Sequence, residues 1–243
     1  MRAYVEPGSW TQDEIVLSED ESHHLIHVLR RQRGDLIELF NGTGDFAEAS
    51  IASIARGSVT ARVTQRRHVE RRTPLITLIQ ALPREQKLDF ILQKATELGL
   101  AHLIPVVTEN AIVKIKADRA EDKKARWEKI VLNAAKQCGA AWLPRIEPAR
   151  SLDSLLQQRP ALDLLIVCAL TPSARAMKEV LRAAKPAPAS IGILVGPEGD
   201  FSPAEMDAIL AAGAMPVSLG STVLRSETAA MYALSAVRYE FDL

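Results

Sequence analysis

The chain has 243 residues, 47% of them hydrophobic, with 30 basic and 30 acidic side chains and a formal net charge of zero. This balance excludes a protein that holds nucleic acid by bulk charge, and no apolar run reaches the roughly 20 residues of a membrane span. Two cysteines are too few for a disulfide framework, and the N-terminal residues lack the pattern of a signal peptide, so we expect a cytoplasmic protein without a membrane anchor.

Residues 1–72 are predicted to form a small, mostly β barrel. The predicted strands span 35–40, 46–54 and 58–65. Within the third strand apolar and polar residues alternate, as expected when one face is buried. A helix is predicted at about 19–31, where Leu25, Val28 and Leu29 share one face, and 66–73 is predicted to be a linker.

From Leu75 onward, apolar runs alternate with amphipathic helices. Five strands are predicted, at 75–82, 102–107, 162–170, 190–196 and 216–220. Five helices are predicted: 84–98, a helix that contains Trp127, a helix near 174–184, a helix that begins at Ser202 and a helix that ends near Phe241. This alternation predicts an α/β domain with a parallel sheet and helices on both faces. Ligands of such sheets bind at the carboxyl ends of the strands, so the loops there are the candidate functional segments.

One such loop lies in segment 193–205, which reads ILVGPEGDFSPAE. Gly196 and Gly199 allow a tight turn close to a ligand. Ser202 and Glu205, with a proline at the first helical position, have the spacing of a capping box. By itself, a glycine turn of this kind is more often a plain connection between a strand and a helix.

A second strand, glycine turn and helix start lie in 217–234, VSLGSTVLRSETAAMYAL. Arg225 and Glu227 sit between an apolar strand and an alanine-rich helix, where charged side chains need partners. Taken singly, either residue could be a surface charge. Taken together, they indicate a polar pocket for a small cofactor with an arginine beside it.

GPEGDF at 196–201 followed by LGSTVLRSETA at 219–229 resembles the SPOUT class of methyltransferases. The resemblance is strongest to the ribosomal RNA small subunit methyltransferase E family, which makes N3-methyluridine in 16S ribosomal RNA. Segments 93–109 and 126–138 resemble the catalytic domain of that family, and 23–35 resembles its PUA-like RNA-binding barrel.

The resemblance implies a PUA-like β-barrel RNA-binding domain over 1–72 and a SPOUT methyltransferase domain over 73–243. The latter would be an α/β domain with a parallel sheet and a deep trefoil knot at about 165–235, an exception to the rule that chains do not thread loops. The family implies a homodimer that acts on 16S rRNA or the assembled small subunit. Its methyl donor is S-adenosyl-L-methionine, its product S-adenosylhomocysteine, and no metal is implied.

The resemblance also implies functional residues. The cofactor-binding residues would be Leu170, Gly196, Glu198, Gly199, Leu219, Gly220, Leu224, Arg225, Thr228 and Ala229. Six basic residues beside the barrel and at the start of the catalytic domain are candidate RNA-binding residues through phosphate contacts, with surface solubility as the alternative: Arg30, Arg31, Arg33, Arg84, Lys87 and Lys94. Arg30 and Lys94 are favoured because they fall in the segments that resemble the family. Arg225 and Glu227 are the expected catalytic residues: Arg225 cannot act as a base, and Glu227 or Glu198 could accept the N3 proton if burial raises its pKa.

The sequence departs from the family pattern at several positions. Asp200 stands where a second glycine is usual, and because Asp tolerates a left-handed backbone, we expect the turn to survive. Asn110 and Ala111 replace an Arg and a Ser that are frequent in the family, and Ala140 and Ala141 stand where basic residues are common. These departures affect the expected RNA contacts rather than the cofactor pocket.

Three other functions are compatible with parts of the sequence. A knotted methyltransferase acting on a ribose 2′-hydroxyl would use the same pocket, and a non-catalytic ribosome assembly factor would retain the fold without the chemistry. A dinucleotide oxidoreductase would share the α/β alternation, but the chain has no G-x-G-x-x-G turn.

Overall fold

The computed structural model describes residues 2–111 and 119–242, and the chain folds into two units. One unit comprises Met1–Arg71 with Ala135–Leu143, and the other comprises Arg72–Ala134 with Pro144–Leu243. Each unit contains its own cluster of buried apolar residues. The functional division at residue 72 stays a prediction.

The first unit is built around a five-stranded sheet. Its strands are β1 (Arg2–Tyr4), β2 (Glu14–Val16), β3 (Leu36–Phe40), β4 (Asp45–Ala55) and β5 (Ser58–His68). Their order is β1-β3-β4-β5-β2, and only the β1–β3 pair is parallel. The alternation predicted for β5 is confirmed, since Val59 and Ala61 are fully buried in the core of this unit.

Two predictions for this unit are wrong in detail. The helical segment begins as α1 (Glu19–His23) but continues as a π-helix over His24–Val28. Leu25 is buried, whereas Val28 is 59% and Leu29 is 37% exposed, so the three residues do not share one buried face. Residues 66–68 are not linker, because they pair with β4 at the end of the long hairpin.

The second unit is an α/β structure with a parallel sheet. Its strands are β6 (Leu75–Ala81), β7 (His102–Val107), β8 (Arg145–Ile146), β9 (Arg150–Ser151), β10 (Leu164–Cys168), β11 (Arg175–Ala176), β12 (Ser190–Val195) and β13 (Met215–Ser218). They run in the order β11-β13-β10-β12-β6-β7-β8, with β9 also beside β7. Every pair is parallel, as predicted.

The five predicted helices of this unit are present, although β11 occupies the start of the one predicted at 174–184, and the short helix at 152–157 was not predicted. They are α2 (Glu85–Glu97), α3 (Ala120–Cys138), whose last residues belong to the first unit, α4 (Leu152–Gln157), α5 (Met177–Ala183), α6 (Pro203–Ala211) and α7 (Ser226–Glu240). The apolar face of α2, with Leu88, Ile91, Leu92 and Ala95, is buried, and the helix ends before Gly99, whose φ of +71° suits a glycine. Helix α2 packs against α7. In the described part of the chain, no helix has the length and hydropathy to cross a bilayer.

Candidate functional site

A cavity of about 280 Å³ lies where the neighbouring strands β13, β10 and β12 end. Its lining comes from three segments at strand ends and from two residues at the start of α7. The segments are 168–170, 195–198 with Asp200, and 217–225 without 218 and 221, and the two residues of α7 are Ser226 and Ala229. Both glycine turns that the sequence singled out contribute to this lining. Parallel strands bring their carboxyl ends to one edge of the sheet, which is why segments far apart in sequence meet here.

Most of the residues expected to bind a cofactor line this cavity. They are Leu170, Gly196, Glu198, Leu219, Gly220, Leu224, Arg225 and Ala229. Gly199 and Thr228 do not: Thr228 is exposed on α7, and Gly199 lies against Asn110, whose Cβ is 3.2 Å from where a Cβ on Gly199 would be. The cavity thus gathers the expected residues, and their binding roles stay a prediction.

Asp200 completes the first turn in a left-handed conformation, with a φ of +59°. Its amide donates a hydrogen bond of 3.1 Å to the carbonyl of Pro197, and its Oδ1 accepts one of 2.8 Å from the amide of Phe201. The side-chain amide of Asn110 donates to the carbonyls of Gly199 and Asp200, at 3.2 and 3.1 Å. The turn therefore survives the replacement of glycine, as expected, and Asn110 supports it from outside.

The predicted capping box at the start of α6 is confirmed. The Ser202 hydroxyl accepts a hydrogen bond from the Glu205 amide at 3.3 Å, and Glu205 Oε2 accepts one from the Ser202 amide at 3.0 Å. The other oxygen of Glu205 accepts a hydrogen bond from the Glu109 amide at 2.8 Å. This carboxylate therefore fixes both the start of α6 and the chain that follows β7.

A buried hydrogen-bond chain that the sequence analysis missed joins the two turns. Gln80, at the end of β6, donates from Nε2 to the Ser226 hydroxyl at 2.9 Å, and that hydroxyl donates to the Gly196 carbonyl at 2.7 Å. Gln80 is fully buried and Ser226 is 6% exposed. A glutamine inside an apolar strand was the available signal, since a buried amide needs hydrogen-bond partners.

Lys87 of α2 lies between two carboxylates at the edge of the site. Its Nζ is 2.7 Å from Glu198 Oε1 and 3.3 Å from Glu227 Oε2. The hydrogen bond to Glu198 raises the pKa of the Lys87 ammonium. Burial opposes ionisation of Glu198, but the Lys87 hydrogen bond and nearby positive charge outweigh it and hold the pKa of the Glu198 carboxyl below its ordinary value.

Burial was expected to raise the pKa of the carboxylate that accepts the proton. For Glu198 this expectation is wrong, because the Lys87 ammonium lies beside it and its pKa is lowered. Glu227 does not line the cavity, although it directly follows Ser226, which does. Arg225 lines the cavity and is exposed. Within residues 2–111 and 119–242, no salt bridge neutralises its guanidinium.

The residues expected to contact RNA lie on both units, and their role stays a prediction. Arg30, Arg33 and Arg84 are exposed. Arg31 lies 3.6 Å from Asp35, Lys94 lies 2.8 Å from Glu97, and Lys87 has the carboxylates described above. Among the described residues, no cluster of histidine, cysteine or acidic side chains could hold a metal ion.

Two family models match the chain: one for an RNA methyltransferase domain over residues 70–238 and one for an RNA methyltransferase PUA domain over residues 17–64. The chain is 31% identical to ribosomal RNA small subunit methyltransferase E of Bacillus subtilis, covering 93% of this chain and 90% of the relative. It is also 31% identical to the Mycobacterium tuberculosis protein of the same name, and the match covers 98% of this chain and 90% of that protein.

Solved structures with the same fold include two that contain S-adenosylmethionine. A methyltransferase of Legionella pneumophila, solved with the bound cofactor, has a TM-score of 0.88 and 31% identity over 98% of this chain and 96% of the other. Ribosomal RNA small subunit methyltransferase E of Neisseria gonorrhoeae, also bound to S-adenosylmethionine, has a TM-score of 0.86 and 28% identity, with the same coverage.

Proposed function

The chain belongs to the ribosomal RNA small subunit methyltransferase E family, and from this premise we propose that it methylates N3 of a uridine in 16S rRNA with S-adenosylmethionine as donor. The observation that carries this proposal is the cavity at the carboxyl ends of β10, β12 and β13, lined by both family motifs. The substrate would be 16S rRNA or the assembled small subunit, which places the protein in the bacterial cytoplasm.

The residues around the cavity fit S-adenosylmethionine. Apolar side chains from the strand ends, such as Val195 and Val217, suit an adenine ring, and the carboxylates of Glu198 and Asp200 suit a cation. The sulfonium supplies an electrophilic methyl group, and S-adenosylhomocysteine is the product. The turn at Gly220, with a φ of +129°, brings main chain to the cavity wall, where a side chain would strain the backbone.

Arg225 is proposed to stabilise the uracil as its N3 proton leaves. Loss of that proton places negative charge on the uracil oxygens, and a permanently charged guanidinium lowers the energy of that anion. The absence of a salt-bridge partner for Arg225 in the described part of the chain supports this role, because its charge is available to a ligand.

Glu227 is the proposed proton acceptor, because the Lys87 ammonium beside Glu198 lowers the pKa of that carboxyl and makes it less basic than an ordinary glutamate. Lys87 holds both carboxylates and is proposed to orient Glu227 next to the site. The proposed positioning role of Lys87 is additional to the RNA contact predicted for it from the sequence.

Turnover and binding measurements test these roles together. Arg225→Ala and Glu227→Gln should each reduce methyl transfer to small-subunit RNA at least about tenfold. In Glu227→Gln, whose side chain lies outside the cavity lining, the affinity for S-adenosylmethionine measured by calorimetry should stay near that of the unmodified protein. Normal turnover in either variant would reject the role of that residue. Failure of the unmodified protein to bind S-adenosylmethionine would instead favour a non-catalytic assembly factor.

The methylated atom is tested on the RNA product. An N3-methyl group blocks the pairing edge of uracil and should stop reverse transcriptase, whereas a ribose 2′-O-methyl group should allow extension at ample nucleotide concentration. Mass spectrometry of rRNA from a deletion strain, with and without the restored gene, should show loss and recovery of methyluridine. A modification confined to the ribose would reject N3 as the target.

We further propose a deep trefoil knot at about 165–235 and a homodimer, both from family membership. Large apolar side chains exposed on α2 and α7, Phe90 and Tyr232 among them, support the dimer, because exposed apolar surface of this kind is typical of interfaces. Light scattering should give twice the mass of one 26.6 kDa chain. A monomeric mass at micromolar concentration would reject the dimer.

A further inference from the structure

Asp200 puts a carboxylate into the wall of the cavity at a position where the sequence resemblance leads one to expect glycine. The other carboxylate in the lining, Glu198, is already paired with Lys87 at 2.7 Å. No cation among the described residues forms a salt bridge with Asp200. The cavity lining therefore carries two charged side chains that form no salt bridge with a described residue, the carboxylate of Asp200 and the guanidinium of Arg225, and Asp200 is the one that can attract a cation.

The position of this carboxylate is fixed by the turn itself. Its Oδ1 accepts a hydrogen bond from the Phe201 amide at 2.8 Å and lies 3.3 Å from where a Cβ on Gly196 would be. The Asn110 amide holds the Asp200 carbonyl from outside, at 3.1 Å. Because the backbone and one carboxylate oxygen are restrained, little conformational freedom remains to be lost when a ligand binds.

We infer that Asp200 is a specificity-determining residue that favours the charged methyl donor over its uncharged thioether product. The inference rests on the proposed function, which gives the two ligands: S-adenosylmethionine carries a sulfonium cation that S-adenosylhomocysteine lacks, and the rest of the two molecules is alike. A fixed carboxylate in the cavity wall attracts the sulfonium of the donor. The product has no positive charge at its sulfur, so the carboxylate does not attract it in the same way. Asp200 thereby weakens product binding relative to donor binding.

The size of the effect follows from Coulomb's law. Two unit charges about 4 Å apart in a water-exposed setting attract by roughly 1 kcal/mol, which is about a fivefold change in affinity. Partial burial of the site would increase this value. Removing the charge of Asp200 should therefore weaken donor binding at least about fivefold and leave product binding nearly unchanged.

Calorimetry on Asp200→Asn tests the inference without measuring turnover. Asparagine keeps an Oδ1 acceptor for the Phe201 amide and tolerates a positive φ, so only the charge changes. The matched control is Asp207→Asn, an exposed position on α6 outside the cavity lining. We expect the ratio of the two dissociation constants, product over donor, to fall about fivefold in Asp200→Asn and to stay constant in Asp207→Asn.

Two further measurements separate the outcomes. An analogue with an ammonium group in place of the sulfonium should lose affinity in Asp200→Asn as the donor does. Asp200→Gly, which suits the φ of +59°, repeats the experiment if asparagine disturbs the fold. Equal changes for donor and product in both variants would overturn the inference, whereas an unmodified protein that binds neither ligand would overturn the proposed function.

Discussion

Replacing Ser226 with alanine should destabilise the second unit by removing the link between β6 and the first turn. The hydroxyl accepts one hydrogen bond from Gln80 and donates one to the Gly196 carbonyl, at 2.9 and 2.7 Å. A buried hydrogen bond contributes about 1 kcal/mol net, and water does not readily replace it at a residue 6% exposed. We therefore expect the free energy of unfolding to fall by about 2 kcal/mol.

Urea denaturation followed by circular dichroism measures this loss. The midpoint should fall while the slope with denaturant stays unchanged, because the surface exposed on unfolding is the same. Ser235→Ala is the matched control, since Ser235 is exposed on the same helix and its removal should change stability by less than about 0.5 kcal/mol. If Ser226→Ala were no less stable than Ser235→Ala, the buried chain would not contribute to stability and the reasoning would fail.

Three further predictions follow from the same structure. The lowered pKa of Glu198 contributes stability that is present above about pH 4 and is lost as the pH falls through the pKa of the folded state. Lys87→Met should therefore be less stable than the unmodified protein near neutral pH, and the urea midpoints of the two proteins should converge in acid. A difference between the midpoints that stays constant across pH would contradict this. Burial raises the pKa of Cys168 to about 12, so in a Cys138→Ser variant the thiol should react with a disulfide reagent at pH 8 much more slowly in the native protein than in the denatured protein, and equal rates would contradict this. Glu205→Ala removes the reciprocal cap of α6 and should lower stability by about 1 kcal/mol in the same urea assay, whereas an unchanged midpoint would show that the cap is dispensable.

The parts of the site that the sequence predicted are those encoded by neighbouring residues. Strand β12 is an apolar run followed at once by a glycine turn, and the Ser202 cap requires only the residue three positions later. The family motifs located both turns for the same reason, because each motif is a continuous segment. Their meeting in one cavity follows from the parallel sheet that the alternation of strands and helices predicts.

The contacts that were missed join residues distant in sequence. Gln80 and Ser226 are 146 positions apart, and Lys87 and Glu198 are 111 apart. A single sequence gives the chemical type of each residue and not its partner, so the lysine beside Glu198, and with it the direction of the pKa shift, had no local signal. The π-helix at 24–28 has no local signal either, since its residues fit an α-helix equally well.

Helix α2 packs against α7, so this part of the structure can form during synthesis only once both helices have been made. Helix α2 is synthesised before α7, which brings Ser226 and Ala229 to the cavity. Ribosome-bound nascent chains that end before α7 should fail to retain the methyl donor. The binding cavity would therefore be complete only after α7 has been synthesised.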